Sequence, residues 1–316
     1  MFLRVRIVSA TLAVLLTGLI AERAVPDSPV GRSAYTAEIE KWRSEREAIV
    51  SATNGWLSVA ALFFLKEGRN TFGSLSSNDL VLPTSAPARA GWFDVRQGRV
   101  FANVNSGVDA TFDQRKVQTG AEIELKETAD LGGRQALVLG PLTLFVHLSG
   151  ERLAIRMLDA GSALRRNFKG LTWFPIDAAY RVDARFVPFE APKSVEVPNI
   201  LGDLERFTSP GTLNFTLNGE EHRLQPFQVG KAREPRFFIV FRDLTSGKET
   251  YEAARFVYAP MPEDGTTVID FNRAYNPPCA YNPFTTCPLP PPSNRLNLRI
   301  LAGEKRYEPA RKQPTP

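Results

Sequence analysis

Two stretches near the C-terminus concentrate side chains capable of chemistry. FRDLTSGKETYEAARF supplies Asp243, Thr245, Lys248, Thr250, Tyr251 and Arg255, and DFNRAYNPPCAYN supplies Asp270, Asn272, Arg273, Tyr275 and Asn276; Asn294, Arg295 and Glu304 follow. Arginines grip anions through charge-assisted, often forked hydrogen bonds, and asparagine amides can orient a carbonyl-bearing molecule. The combination predicts a pocket for a small anionic molecule, with Arg255, Arg273 and Arg295 holding the charge and Asn272 and Asn276 orienting it. Asp243, Tyr251 and Asp270 are the candidate acids and bases. The same residue types also fasten irregular backbone whose carbonyls lack ladder partners, so a scaffolding role stands beside the binding one.

The common catalytic signatures are absent from the sequence: there is no G-x-S-x-G, no H-E-x-x-H and no G-x-G-x-x-G leading to an acidic residue. SGKET resembles the end of a phosphate loop, but Arg242 stands at the first glycine position and Glu249 at the Ser/Thr position, so it reads as a turn. Two histidines, His147 and His222, are too few to nominate a Ser-His-Asp arrangement or a zinc site, and no cofactor or metal is expected. His147 shares a strand face with Thr143 and Phe145. A third patch, RMLDAGSALRRNFKGLTWFPID, sets Arg156 and Asp159 at the end of a strand and Arg165, Arg166 and Lys169 before an aromatic turn. It reads either as the basic rim of a pocket or as a solvated loop anchored by Trp173 and Phe174.

These side chains must be held by short strands. Runs such as AGWFDV with GRVFANV, RQALVLG with LTLFVHL, and RFFIVFRDL with TYEAARFVYAP are separated by turn residues and read as hairpins. TLNFTLNGEEHRLQPF is the clearest, because Asn218-Gly219 suits a type I′ turn. A helix begins at Ser33, with Tyr35, Ile39, Trp42 and Ile49 at helical spacing and Asn54-Gly55 as a left-handed terminator. After TTVIDF, a proline-rich stretch imposes extended backbone without strand pairing. The fold expected is mainly β, an antiparallel barrel or sandwich with one N-terminal helix and a Pro-rich C-terminal wrap. One continuous core is expected over residues 33–308, followed by a frayed tail at 309–316.

The N-terminus carries Arg4 and Arg6 ahead of an apolar run from Ile7 to Ile20, the pattern of an export signal over residues 1–21, with 22–32 as a tether. The protein is therefore expected to be exported, periplasmic or extracellular; the alternative is an uncleaved anchor, with membrane contact through that segment alone. Of the net charge of +5, removing the two arginines leaves +3, spread among acids, which argues against a nucleic-acid partner. Cys279 and Cys287 are the two cysteines. In an oxidising compartment they are expected to close a disulfide around CAYNPFTTC, worth about 2.5 kcal/mol by loop entropy.

GWLSVAALFFLKEGRNTFGS, FKGLTWFP, SPGTLNF, FRDLTSGKETYEAARF and DFNRAYNPPCAYNPFTTCPLPPPSNRL together resemble a widespread prokaryotic family known as a domain of unknown function. The resemblance runs from about Trp42 to Lys305. It implies no activity and no catalytic residues, and, through members without an export segment, it implies a thiol pair instead of a disulfide.

Overall fold

The computed structural model describes residues 29–127, 135–231 and 233–308. The expectations for the export segment and for the tail at 309–316 lie outside them. Helix α1, Pro29–Ser51, starts inside the expected tether, four residues ahead of Ser33, with proline in the first turn, where its missing N–H costs nothing. Tyr35, Ile39 and Val50 are buried, whereas Ile49 is 58% exposed, so the buried stripe closes on Val50 rather than Ile49. Gly55 is not left-handed; its φ is −89°. Glycine is needed there because a Cβ would lie 2.2 Å from the Ile49 carbonyl oxygen.

Strands then dominate: β1 Val59–Phe64, β2 Gly68–Gly73, β3 Leu80–Val81, β4 Gly91–Arg96, β5 Arg99–Val104, β6 Thr111–Phe112, β7 Arg115–Lys116, β8 Glu122–Leu125, β9 Ala136–Leu139, β10 Leu142–Ser149 and β11 Arg152–Asp159. They form a five-stranded sheet, β3-β2-β4-β5-β8, and a six-stranded sheet, β1-β11-β10-β9-β6-β7. One face of each encloses a core that includes Phe72, Phe93, Leu137, Leu144, Ile155 and Met157. Helix α2, Ala163–Arg166, leads to the second half. There β12 Arg181–Pro198, β13 Leu204–Leu217, β14 Glu220–Leu224 and β18 Thr266–Asp270 pair in the order β14-β13-β12-β18, while β15 Phe227–Val229, β16 Arg236–Phe241 and β17 Arg255–Pro260 form a three-stranded sheet. Their core includes Leu213, Phe237, Ile239, Phe241, Val257 and Phe271. The buried apolar residues form these two large clusters and three smaller ones. Burial of each such side chain contributes roughly 1.5–3 kcal/mol.

The pairing is antiparallel except for β2 with β3. Asn218 and Gly219 both have positive φ, 56° and 81°, as the predicted I′ turn between β13 and β14 requires. The β16–β17 connection is longer than the four-residue turn expected. The strands end at Phe241 and resume at Arg255, because residues 242–254 fold on themselves, Thr245 O accepting from Lys248, Glu249 and Thr250 N.

From Phe271 onward the chain runs as a wrap of short 3-10 turns, Phe271–Arg273, Pro278–Ala280 and Pro292–Asn294, two of them opened by proline. Its alternating Leu296, Leu298, Ile300 and Ala302 are buried in the second cluster. Side chains replace ladder partners here. Buried Asn294 donates to the Gln225 and Val240 carbonyls, both at 2.9 Å, and accepts from Gln225 N at 2.7 Å.

Candidate functional site

The eight residues nominated from the sequence do not converge on one cavity. Arg255 is fully buried and donates to the Ile300 and Ala302 carbonyls, with Asp243 Oδ2 at 3.4 Å. Asp243 also accepts from Thr245 Oγ1 (2.7 Å) and Ile300 N (2.7 Å), so this pair clamps the last stretch of the wrap. Asn272 donates to Tyr35 Oη and the Asp177 carbonyl and accepts from Asp177 N. Asp270 accepts from Tyr35 Oη at 2.9 Å and Asn272 N at 3.0 Å, tying α1 to the wrap. Asn276 donates to Glu304 Oε1 (2.8 Å) and the Lys305 carbonyl (2.7 Å). Arg273 pairs with Glu38 and Asp270 at the edge of a 350 Å³ hollow against α1, and Tyr251 donates to the Cys279 carbonyl beside a different 450 Å³ hollow. Arg295 is exposed. Most of this polar density is therefore spent on holding backbone.

The disulfide is not formed: Cys279 and Cys287 are both free. Cys287 Sγ instead accepts from the Cys279 backbone N–H at 3.2 Å. Burial raises the Cys287 thiol well above its ordinary range, whereas the side-chain hydrogen bond with Cys287 lowers Cys279.

A different constellation forms where the two halves meet under the wrap. In β10 and β11 the register pairs Phe145 with Arg156 and His147 with Ala154. One sheet face, carrying Leu144, Val146, Ile155 and Met157, enters the first core. The alternation places Phe145, His147, Ser149 and Arg156 on the other face. Across from it, Asn199 shapes the turn between β12 and β13, accepting from Leu201 N and Asp203 N while donating to Ser149 Oγ (2.9 Å) and Glu205 Oε1 (3.1 Å). Asp203 takes both prongs of Arg152, at 2.8 and 2.7 Å, and the Ser149 hydroxyl at 2.6 Å. The wrap closes the third side: Ile200 N donates to the Cys287 carbonyl, Leu289 N to the Pro198 carbonyl, and Asn282 Nδ2 to the Trp56 carbonyl.

The hollow between them, about 290 Å³ and open to solvent on one side, is lined by Trp56, His147, Arg156, Glu205, Thr286 and Cys287 among others. Arg156 is 5% exposed, yet its Nε has no hydrogen-bond partner and its Nη2 reaches Thr286 Oγ1 at 3.3 Å. Burial lowers its pKa to about 10, against the opposing pull of Cys287 and Glu205. His147 Nε2 lies 2.7 Å from the same Thr286 oxygen, and burial, reinforced by the Arg156 charge, lowers its pKa to about 3. Glu205 is pushed upward by burial. Burial disfavours the charged form of all three groups, and their gathering around one cavity makes it a candidate site.

From the sequence, His147 is a surface or satisfied core histidine, and Arg156 belongs to a patch that is either the basic rim of a pocket or a solvated loop. The available signal was a charged residue at an otherwise buried position of RLAIRML, sharing a face with Ala154 and Leu158. Glu205 and Thr286 carry no such signal, because their place at the cavity depends on how the halves dock.

Comparison with known proteins adds family membership. No curated protein matches the chain. A solution NMR structure of an uncharacterized protein of Haloarcula marismortui is 37% identical, over 45% of this chain and 78% of that one, with a TM-score of 0.38. Residues 166–305 match the family model described as protein of unknown function (DUF1684). Through that segment, which holds the second β body and the wrap, the chain belongs to the DUF1684 family.

Proposed function

We propose that the protein binds a small carboxylate- or phosphate-bearing molecule in the cavity under the wrap, with Arg156 as the anchor for its negative charge. The observation that supports this reading is an arginine, 5% exposed, that lines the cavity and whose Nε is left without a partner. Burying a charge without a full set of partners costs several kcal/mol, and an anion held beside the guanidinium offsets that cost. Neutral His147 and the Thr286 hydroxyl supply polar contacts beside it, Trp56 an apolar wall. Cavity volume suits a molecule of a few to a dozen heavy atoms. Arg255 Nε and Asn276 Oδ1 are also buried without a partner, but Asp243, Arg255, Asn272 and Asn276 each bond backbone, whereas Arg156 bonds the Thr286 side chain and lines a cavity. Export through the N-terminal segment belongs to the same proposal, placing the site in the periplasm or outside the cell; fractionation of tagged full-length protein checks it.

The test is thermal denaturation with acetate, propionate, pentanoate or inorganic phosphate, since a ligand that binds the native state alone raises Tm. A dose-dependent rise in the wild type that Arg156→Met abolishes is the expected result. A rise that survives Arg156→Met, or no rise with any of these anions or their amino-terminated counterparts, overturns the reading.

A further inference from the structure

The cavity opens into a larger cleft of about 740 Å³, and the two share Glu127, Leu148 and Glu205. This outer cleft is lined by carboxylates, Glu127, Glu151, Glu196, Asp203 and Glu205, with Arg152 and Arg206 as its cations. Both cations are already engaged: Arg152 by two bonds to Asp203, and Arg206 by Glu196 at 2.7 Å. Glu205 receives one hydrogen bond, from Asn199, on Oε1. Charge therefore changes sign along the path from the deep end, where Arg156 stands, to the mouth, where Glu205 and Glu127 stand. A simple anion must pass this acidic mouth unfavourably, whereas a molecule with a cationic trailing end gains from it.

Resting on the anion-binding reading above, we infer that the ligand is a zwitterion of the amino-acid class, seated with its carboxylate on Arg156 and its ammonium group towards Glu205 and Glu127. The ammonium supplies three donors to the mouth carboxylates, of which Glu205 accepts from Asn199, and the leading carboxylate lies against the incompletely paired Arg156. Zwitterions also match the pocket as a difference of affinities: an alkanoate lacks the group the mouth attracts, and an alkylamine lacks the group that Arg156 requires.

Calorimetric titration of the full chain with matched series tests this, comparing glycine, 4-aminobutyrate and 5-aminopentanoate with acetate, butyrate, pentanoate and pentylamine. At the best-fitting length the amino acid is expected to bind roughly tenfold or more tightly than its alkanoate, the worth of one charge-assisted hydrogen bond. Glu205→Gln is expected to lower that ratio, and Glu127→Gln to do so less if the ammonium sits deep. Alkanoates that bind as tightly as their amino counterparts, or a ratio that neither substitution moves, overturn the zwitterion inference while anion binding at Arg156 stands. If neither series binds, the anion-binding reading fails first.

Discussion

His147 Nε2 and Thr286 Oγ1 lie 2.7 Å apart, joining strand β10 of the first body to the wrap of the second across 139 residues of chain. Arg156 Nη2 reaches the same hydroxyl oxygen at 3.3 Å. A guanidinium can only donate, so the oxygen accepts from Arg156, while a second lone pair and the hydroxyl proton leave the His147 contact to run in the direction its tautomer sets. His147 is assigned as a neutral imidazole, its pKa lowered to about 3 by burial and the Arg156 charge. Three side chains from three segments therefore fix one another's orientation at the cavity wall.

A neutral buried histidine makes stability depend on pH with a definite sign. Its folded pKa lies below the unfolded value of 6.5, so the unfolded chain binds the proton first. The stabilisation is whole above pH 6.5 and is lost as pH falls towards 3. At about 1.4 kcal/mol per unit, the window from 6.5 to about 3 holds on the order of 5 kcal/mol. Urea denaturation at steps from pH 7 to pH 4 is expected to show a steeper fall for the wild type than for His147→Asn; equal slopes contradict the assignment.

Thr286 is the shared partner, and its removal has a calculable effect. Thr286→Val keeps the shape but strands a donor on Arg156 and the polar Nε2 of His147, costing about 1–3 kcal/mol. Thr286→Ser keeps the hydroxyl and is expected to recover most of that. Comparing the urea midpoints of the three proteins decides whether the hydroxyl or the methyl group matters.

The fold was legible where local rules governed it. The Asn218-Gly219 turn, the β4–β5 and β9–β10 hairpins and the wrap with its buried Leu296, Leu298 and Ile300 follow from turn chemistry, alternation and proline. The helix bounds slipped because Pro29 starts a helix as readily as Ser33 caps one. The site was less legible for a physical reason. Arg255, Asn272 and Asn276 belong to residue types that bind ligands and backbone alike, and sequence does not say which. Arg156, Glu205 and Thr286 meet through docking of sheets that are distant in the chain, so no local pattern joins them.

The two thiols are expected to differ in reactivity, because the thiolate is the nucleophile and burial opposes its formation. Cys287 is 4% exposed with its pKa raised, while Cys279 is partly exposed with its pKa lowered. Brief iodoacetamide treatment of the native protein followed by peptide mass mapping is expected to label Cys279 first. Equal labelling of both positions counts against the environments described.

Arg255 and Arg156 are both buried arginines, and substitution is expected to separate their roles. Arg255 holds the wrap by donating to the Ile300 and Ala302 carbonyls and pairing with Asp243, itself at a buried position. Removing one member of such a pair leaves the other charge buried alone, so Arg255→Ala is expected to cost about 3–5 kcal/mol. Arg156 forms few bonds, so Arg156→Met exchanges an incompletely paired charge for an apolar chain of similar length and is expected to leave the urea midpoint unchanged or raised. Binding of carboxylates should reverse the order: retained by whatever fraction of Arg255→Ala is folded, lost in Arg156→Met. If Arg156→Met is the variant that unfolds, this guanidinium is a structural strut, and the cavity beside it is incidental to its role.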